Sequence, residues 1–237
     1  MLLSPRFFNC FLFEVAMSQS SLVLLNQPST GSVQANLLLA HGAGAPMDSD
    51  FMQQLVAELV KHDLRVLRFE FPYMQARRNQ GQRRPPNPMP ELQQYMLDEL
   101  ARQMQHFSEP WLLAGKSMGG RVASRVVSQS KALGAIAYGY PFHPIGKPDK
   151  LRTEHLPGLT KPLCVIQGER DRLGAKTLIA AMDLGDKVSI DWLVAADHDL
   201  KPLQRSGLTQ AQHLQRAAAV SSEFIQRCIK NNKTNKQ

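Results

Sequence analysis

Gly115-Lys116-Ser117-Met118-Gly119 sets a serine between two glycines, directly after the apolar run Trp111-Leu112-Leu113-Ala114. A strand before such a pattern and a helix after it make a nucleophile elbow, a turn so tight that its flanking positions must stay small. Gly120 adds a further small position. A serine hydroxyl attacks poorly at neutral pH unless a base can take its proton, and the base needs an acid to orient it. Both follow downstream. Leu163-Cys164-Val165-Ile166 runs into Gln167-Gly168-Glu169-Arg170-Asp171, and the run from Val188 to Val194 leads into Ala195-Ala196-Asp197-His198-Asp199. Ser117, Asp171 and His198 are therefore the candidate nucleophile, acid and base. Glu169 is the second candidate for the acid.

Attack on a carbonyl places negative charge on its oxygen, which backbone N–H groups must meet. Met118 follows the nucleophile and supplies one donor. The other is expected from the small-residue turn His41-Gly42-Ala43-Gly44-Ala45, which follows Leu37-Leu38-Leu39-Ala40; Ala43 is the first choice and Gly44 the next. His41 precedes the turn, so its expected role is to brace the glycine loop. His143 and His155 are expected to be solvent-exposed. No histidine, cysteine or carboxylate cluster has metal-ligand spacing, and there is no phosphate loop of Walker type, so neither metal nor cofactor is expected.

The elements that must position these residues alternate along the chain. Apolar runs at 37–40, 65–71, 111–115, 133–140, 163–167 and 188–194 read as buried strands, and Leu22 to Leu25 as an antiparallel edge strand. Between them Phe51, Met52, Leu55, Val56, Leu59 and Val60 form one helical stripe, capped by Asp48 or Ser49, and residues from Leu92 to Phe107 form another. Val122, Val126 and Val127 mark the helix after the elbow, and Leu178 and Met182 a fourth. Leu214, Ala218, Phe224, Ile225 and Cys228 line the inner side of a last helix, from Leu208 to Lys230. Such alternation predicts an α/β fold, a mostly parallel sheet covered by helices on both faces. Two stretches, 72–90 and 142–162, read as loops, and the second is too short for a separate cap domain.

At 237 residues the chain fits one domain, expected over 17–230, and 43% hydrophobic with 20% charged residues describes an ordinary globular protein. Residues 1–16 are apolar but interrupted by Pro5, Arg6, Asn9 and Glu14, too short and broken to span a bilayer. They are expected to lie outside the domain, as a leader or as an extension before a true start at Met17. Residues 231–237 read as a disordered basic tail. Cys10, Cys164 and Cys228 lack a paired spacing, which suits a reducing cytoplasm. The net charge is +8, part of it from Arg77, Arg78, Arg83 and Arg84 in one stretch. No aromatics alternate with these arginines, so no nucleic-acid partner is expected. They are expected either to receive an anionic group of the substrate or to pair with carboxylates such as Glu70 and Glu91.

The chain resembles the small bacterial α/β-hydrolases of unassigned substrate, related to an α/β-hydrolase-like subunit of the NSL histone acetyltransferase complex. The resemblance rests on the His41 to Ala45 turn, Arg68-Phe69-Glu70-Phe71-Pro72-Tyr73-Met74, Arg83-Arg84-Pro85-Pro86, Gly115 to Arg121, Gly139-Tyr140-Pro141-Phe142 and Gln167 to Asp171. It implies the α/β-hydrolase fold and the Ser-Asp-His triad, without a substrate. The expected function is a serine hydrolase of carboxylic ester, thioester or amide bonds in a small acyl substrate. A non-catalytic binding or scaffold module on the same fold is the alternative.

Overall fold

The computed structural model describes residues 22–81 and 84–234; residues 1–16 lie outside the described residues. Its strands are β1 (Val23–Asn26), β2 (Ala35–Ala40), β3 (Leu64–Phe69), β4 (Trp111–Lys116), β5 (Ala135–Tyr138), β6 (Leu163–Gly168) and β7 (Val188–Leu193). The helices are α1 (Asp50–Leu59), α2 (Pro72–Gln80), α3 (Met89–Gln103), α4 (Met118–Val126), α5 (Lys176–Ile179) and α6 (Gln210–Thr234). The seven strands form one sheet in the order β1-β3-β2-β4-β5-β6-β7. Only β1 runs antiparallel, pairing Val23 with Phe69 and Asn26 with Val66 on β3.

Central strands buried on both faces must be apolar throughout, which is why they stand out in the sequence. Alternate side chains then sort to opposite faces. Leu38, Leu67, Leu113, Ala135 and Val165 pack with Leu92, Met96 and Leu100 of α3 and Val122, Ala123 and Val126 of α4. Leu37, Leu39, Leu112, Ile136 and Ile166 pack on the other face with Leu55 and Leu59 of α1 and Leu214, Ala218, Phe224 and Ile225 of α6.

This winding creates a place for a site. From β2 the chain crosses through α1 to β3, on one side, and then returns to β4 on the other side of β2. The loops leaving the C-terminal ends of β2 and β4 diverge there, opening a crevice between their first residues. Those residues are the His41 to Ala45 turn and Ser117.

Three elements differ from the sequence expectation. Residues 72–80 are a helix, with Pro72 in its first turn, where a missing N–H costs nothing, and Gly81 closing it at φ 67°. Only Tyr73 and Met74 of α2 are buried, so no apolar periodicity announces it. The fourth helix is a single turn, α5, that buries Ile179 while Leu178 stays exposed. Beyond it, the Asp183 carboxylate accepts from the Gly185 N–H at 2.9 Å and turns the chain toward β7. The last helix runs to Thr234, beyond Lys230 and into the stretch read as a tail. Residues 142–162 contain no helix or strand, but Phe142, Leu156 and Leu159 anchor them to the core.

Candidate active site

Ser117 lies between β4 and α4 with φ 52° and ψ −113°. A side chain held there costs on the order of 1–3 kcal/mol, and the surrounding structure must enforce it. The enforcement is a close approach of strand and helix: a Cβ on Gly115 would lie 2.1 Å from the Gly119 carbonyl carbon. No residue but glycine fits, and the serine hydroxyl is thereby lifted out of the turn.

His198 follows β7 and Asp171 follows β6. His198 Nε2 lies 2.8 Å from Ser117 Oγ. On the other side of the ring, His198 Nδ1 lies 2.8 Å from Asp171 Oδ2. The Asp171 carboxylate is fully buried and also accepts the Leu173 N–H at 2.7 Å and the Gln167 Nε2–H at 2.8 Å. A carboxylate so placed favours a proton on Nδ1, which leaves the Nε2 lone pair for the serine. Glu169, the alternative acid, is turned elsewhere: it pairs with Lys176 at 2.9 Å and accepts the Ala195 N–H at 3.1 Å.

The glycine loop comes up against Ser117, since a Cβ on Gly42 would stand 3.7 Å from Ser117 Cβ. His41 is buried beneath it. Its Nε2 accepts the Phe71 N–H at 3.1 Å, so its Nδ1 carries the proton and donates to the Gly42 carbonyl at 2.7 Å. Burial lowers the His41 pKa and keeps the ring neutral. The Tyr73 hydroxyl donates to the carbonyls of Gly42 at 3.2 Å and Ala43 at 3.1 Å. In a trans peptide the N–H points opposite the preceding carbonyl. The N–H groups of Ala43 and Gly44 therefore point away from Tyr73. Met118 opens α4, where an N–H has no acceptor within the helix.

Two buried polar residues complete the frame, and sequence reasoning did not single them out. Gln167 accepts the Tyr140 N–H at 2.7 Å, besides donating to Asp171. Lys116 is almost wholly buried; its Nζ donates to the His198 carbonyl at 2.8 Å and pairs with Asp199 at 3.1 Å. Burial lowers the Lys116 pKa, against the pull of Asp199. Each interrupts an otherwise apolar strand run next to a motif residue, and that interruption is the signal that was available.

The arginines of residues 77–84 divide differently than one loop would. Arg78 is held by carboxylates, with Glu70 at 2.6 Å and Asp48 at 2.8 Å. Arg77 donates to the Arg84 and Ala43 carbonyls, and Arg84 to Gln80. Arg83 lies outside the described residues. Internal pairing, one of the two expectations, accounts for Arg78. His143 and His155 are not the exposed loop residues expected. His143 is buried, and His155 is half-buried with its Nε2 2.9 Å from Ser124 Oγ.

The family model for the alpha/beta hydrolase domain matches residues 33–226, a span that holds the elbow, the glycine loop and both downstream candidates. The chain belongs to this family. Among solved structures, this alpha/beta hydrolase is similar to a dienelactone hydrolase from Anabaena variabilis, at 18% identity and a TM-score of 0.68, over 92% of this chain and 97% of that one. It is also similar to Est1E from Butyrivibrio proteoclasticus, solved with ferulic acid, at 13% identity and a TM-score of 0.65, over 88% and 95% of the two chains. An alpha-beta serine hydrolase homologue from Coxiella burnetii matches at 18% identity with a TM-score of 0.64, over 92% and 99%. At these identities the likeness establishes the alpha/beta hydrolase fold. No curated protein matches the chain. The family match and the solved structures do not speak to a relation with the NSL complex. Among the described residues, no helix is long and apolar enough to cross a membrane.

Proposed function

We propose that the protein is a serine hydrolase that cleaves carboxylic ester, thioester or amide bonds through an acyl-enzyme on Ser117. The observation that carries this reading is the unbroken hydrogen-bond relay from Ser117 Oγ through His198 to Asp171, with both links at 2.8 Å. His198 Nε2 takes the serine proton as Oγ attacks the carbonyl carbon, and Asp171 stabilises the resulting imidazolium. The carbonyl oxygen, now negative, is received by the N–H groups of Met118 and Ala43; one such donor contributes about 2.7–4 kcal/mol to the transition state. His198 then gives its proton to the leaving group. Water, activated by the same ring, releases the acyl group and restores the serine. With no helix or strand in residues 142–162, small acyl groups reach Ser117 without a folded lid to open. Free, buried Cys164 and Cys228 support a reducing compartment such as the cytoplasm.

A fluorophosphonate probe tests the nucleophile, and a panel of acyl esters of increasing length tests turnover. Wild type should label and hydrolyse short esters, and Ser117→Ala should do neither while keeping its thermal midpoint. Equal labelling of both proteins would remove Ser117 from the reading.

A further inference from the structure

Outside the relay and among the described residues, three buried polar atoms without a hydrogen-bond partner gather in one place. Arg121 Nε, Arg125 Nε and His155 Nδ1 are buried and have no hydrogen-bond partner. All three belong to a cluster where α4 meets residues 142–162. His155 touches Ser124, the Arg125 guanidinium is bound by Glu154, and the Thr160 N–H reaches Ser128 Oγ at 3.1 Å. Arg152 closes the cluster, near enough to Arg121 to act on it electrostatically, as Arg125 also does. His155 adds no charge at neutral pH, since burial pushes its pKa down to about 4. Arg121 and Arg125 thus share one carboxylate, that of Glu154, with the Arg152 cation close by, in a partly buried setting.

Such an excess of cation is costly unless something meets it. A guanidinium Nε–H left buried without an acceptor forfeits its hydration, and neighbouring like charges add repulsion. Burial comes first and Arg152 second among the influences that lower the Arg121 pKa. An oxyanion would relieve both costs, and guanidinium forks match the paired oxygens of carboxylate and phosphate.

The cluster is also aligned with the reacting serine. Arg121 and Arg125 are spaced by four residues, so they follow one face of α4, and the Arg121 N–H donates to the Ser117 carbonyl at 3.0 Å. Arg121 lies about 6 Å along the helix from Ser117, and helical side chains lean back toward the N-terminus, here toward Ser117.

We propose that Arg121, Arg125 and Arg152 form an oxyanion-binding site one helical turn from Ser117, which takes a carboxylate or phosphate group. If the hydrolase reading holds, on which this part rests, the group is carried by the substrate, a short chain away from the scissile carbonyl. This moves the anion-binding role from residues 77–84, where Arg78 is already held by carboxylates, to α4 and residues 142–162.

Two esters of equal length test it: para-nitrophenyl valerate and mono-para-nitrophenyl glutarate, which differ in a terminal methyl against a terminal carboxylate. The ratio of their kcat/KM values is measured for wild type, Arg121→Gln and Arg152→Gln. Wild type should favour the glutarate ester roughly tenfold or more, and either variant should remove most of that preference through KM, as loss of a charged hydrogen bond predicts. Arg152 lies outside α4, so its variant reads the site even if Arg121→Gln disturbs the elbow. Calorimetric titration with inorganic phosphate forms the second arm, comparing wild type with the double variant. Phosphate binding that the double variant abolishes, without any glutarate preference, supports the site with a free anion as its ligand. Turnover of both esters with the same ratio in all proteins, together with no phosphate binding, overturns the inference and leaves the hydrolase reading standing. If neither ester is turned over, the hydrolase reading fails, and phosphate binding alone decides the site.

Discussion

Replacing Gln167 by Met probes the buried frame of the site while leaving every reacting atom in place. The two side chains are close in size, so no large cavity opens, and the loss is one of hydrogen bonds. The wholly buried Gln167 side chain accepts the Tyr140 N–H at 2.7 Å and donates to Asp171 Oδ2 at 2.8 Å. A buried donor left without its acceptor costs about 1–3 kcal/mol, and a hydrogen bond lost from a charged group contributes about as much again. Asp171 keeps the Leu173 N–H and His198, so part of its loss is cushioned. We expect about 3 kcal/mol of destabilisation in urea titrations and, at about 2–4 °C per kcal/mol for a domain this long, a thermal midpoint lower by about 6–12 °C. Gln167→Glu supplies the second arm. It retains an acceptor for Tyr140 but sets a carboxyl group against Asp171 at the distance of the present hydrogen bond, where both cannot ionise without strong repulsion. At pH 8 the Glu variant should therefore be the less stable of the two. A Met variant within about 0.5 kcal/mol of wild type, or a Glu variant more stable than Met, would refute the assignment of Gln167 as the strut of the acid.

Three further outcomes are expected. Ser117→Gly should abolish turnover yet stabilise the fold by about 1 kcal/mol, because φ 52° strains a serine and not a glycine; a lower melting point would contradict that strain. Arg78→Gln should destabilise by about 2 kcal/mol, since it strips the buried Glu70 carboxylate of its cation, though Arg78 is itself partly exposed. Arg78 also holds the Asp48 carboxyl below its ordinary pKa, so this part of the stability is present above the usual carboxylate range and fades as pH falls through the lower folded value. The gap between wild type and variant should narrow below about pH 4, and a gap that widens on acidification would be the wrong sign. Gly168→Ala would place a methyl group 2.3 Å from the Asp197 carbonyl, beside His198. It should lose both thermal stability and ester turnover, and retained activity would mean that the His198 loop is free to shift.

The parallel sheet and the relay were legible in the sequence for one reason. Strands buried on both faces are apolar along their length, and the residues that end them, Ser117, Asp171 and the turn before His198, interrupt that pattern abruptly. What lay hidden was held by other forces. α2 buries only Tyr73 and Met74, so its helicity rests on Pro72, Gly81 and the pairing of Arg78 with Glu70, which no periodicity reports. Lys116 and Gln167 looked like polar breaks in apolar runs, although their partners lie far along the chain, at His198 and Tyr140. His143 and His155 were misjudged as exposed because residues 142–162 lack regular structure, and burial there depends on Phe142, Leu156 and Leu159.

The order of the strands also decides how the site comes apart. β7 is an outermost strand, hydrogen-bonded to β6 alone, and most of its residues are only partly buried. Its end carries His198, whose partners Ser117 and Asp171 lie 81 and 27 positions away in sequence. Proteins open piecewise, and outer segments with few buried contacts detach at a smaller free-energy cost than the centre. Detachment of β7 separates His198 from Ser117 while β2, β4 and β5 keep their cores intact. Under mild denaturant, catalysis should therefore fade before the spectroscopic signal of the sheet does, and amide exchange along β7 should outpace that of β4. In the proposed mechanism, the base sits beyond an outer strand of an otherwise firm sheet.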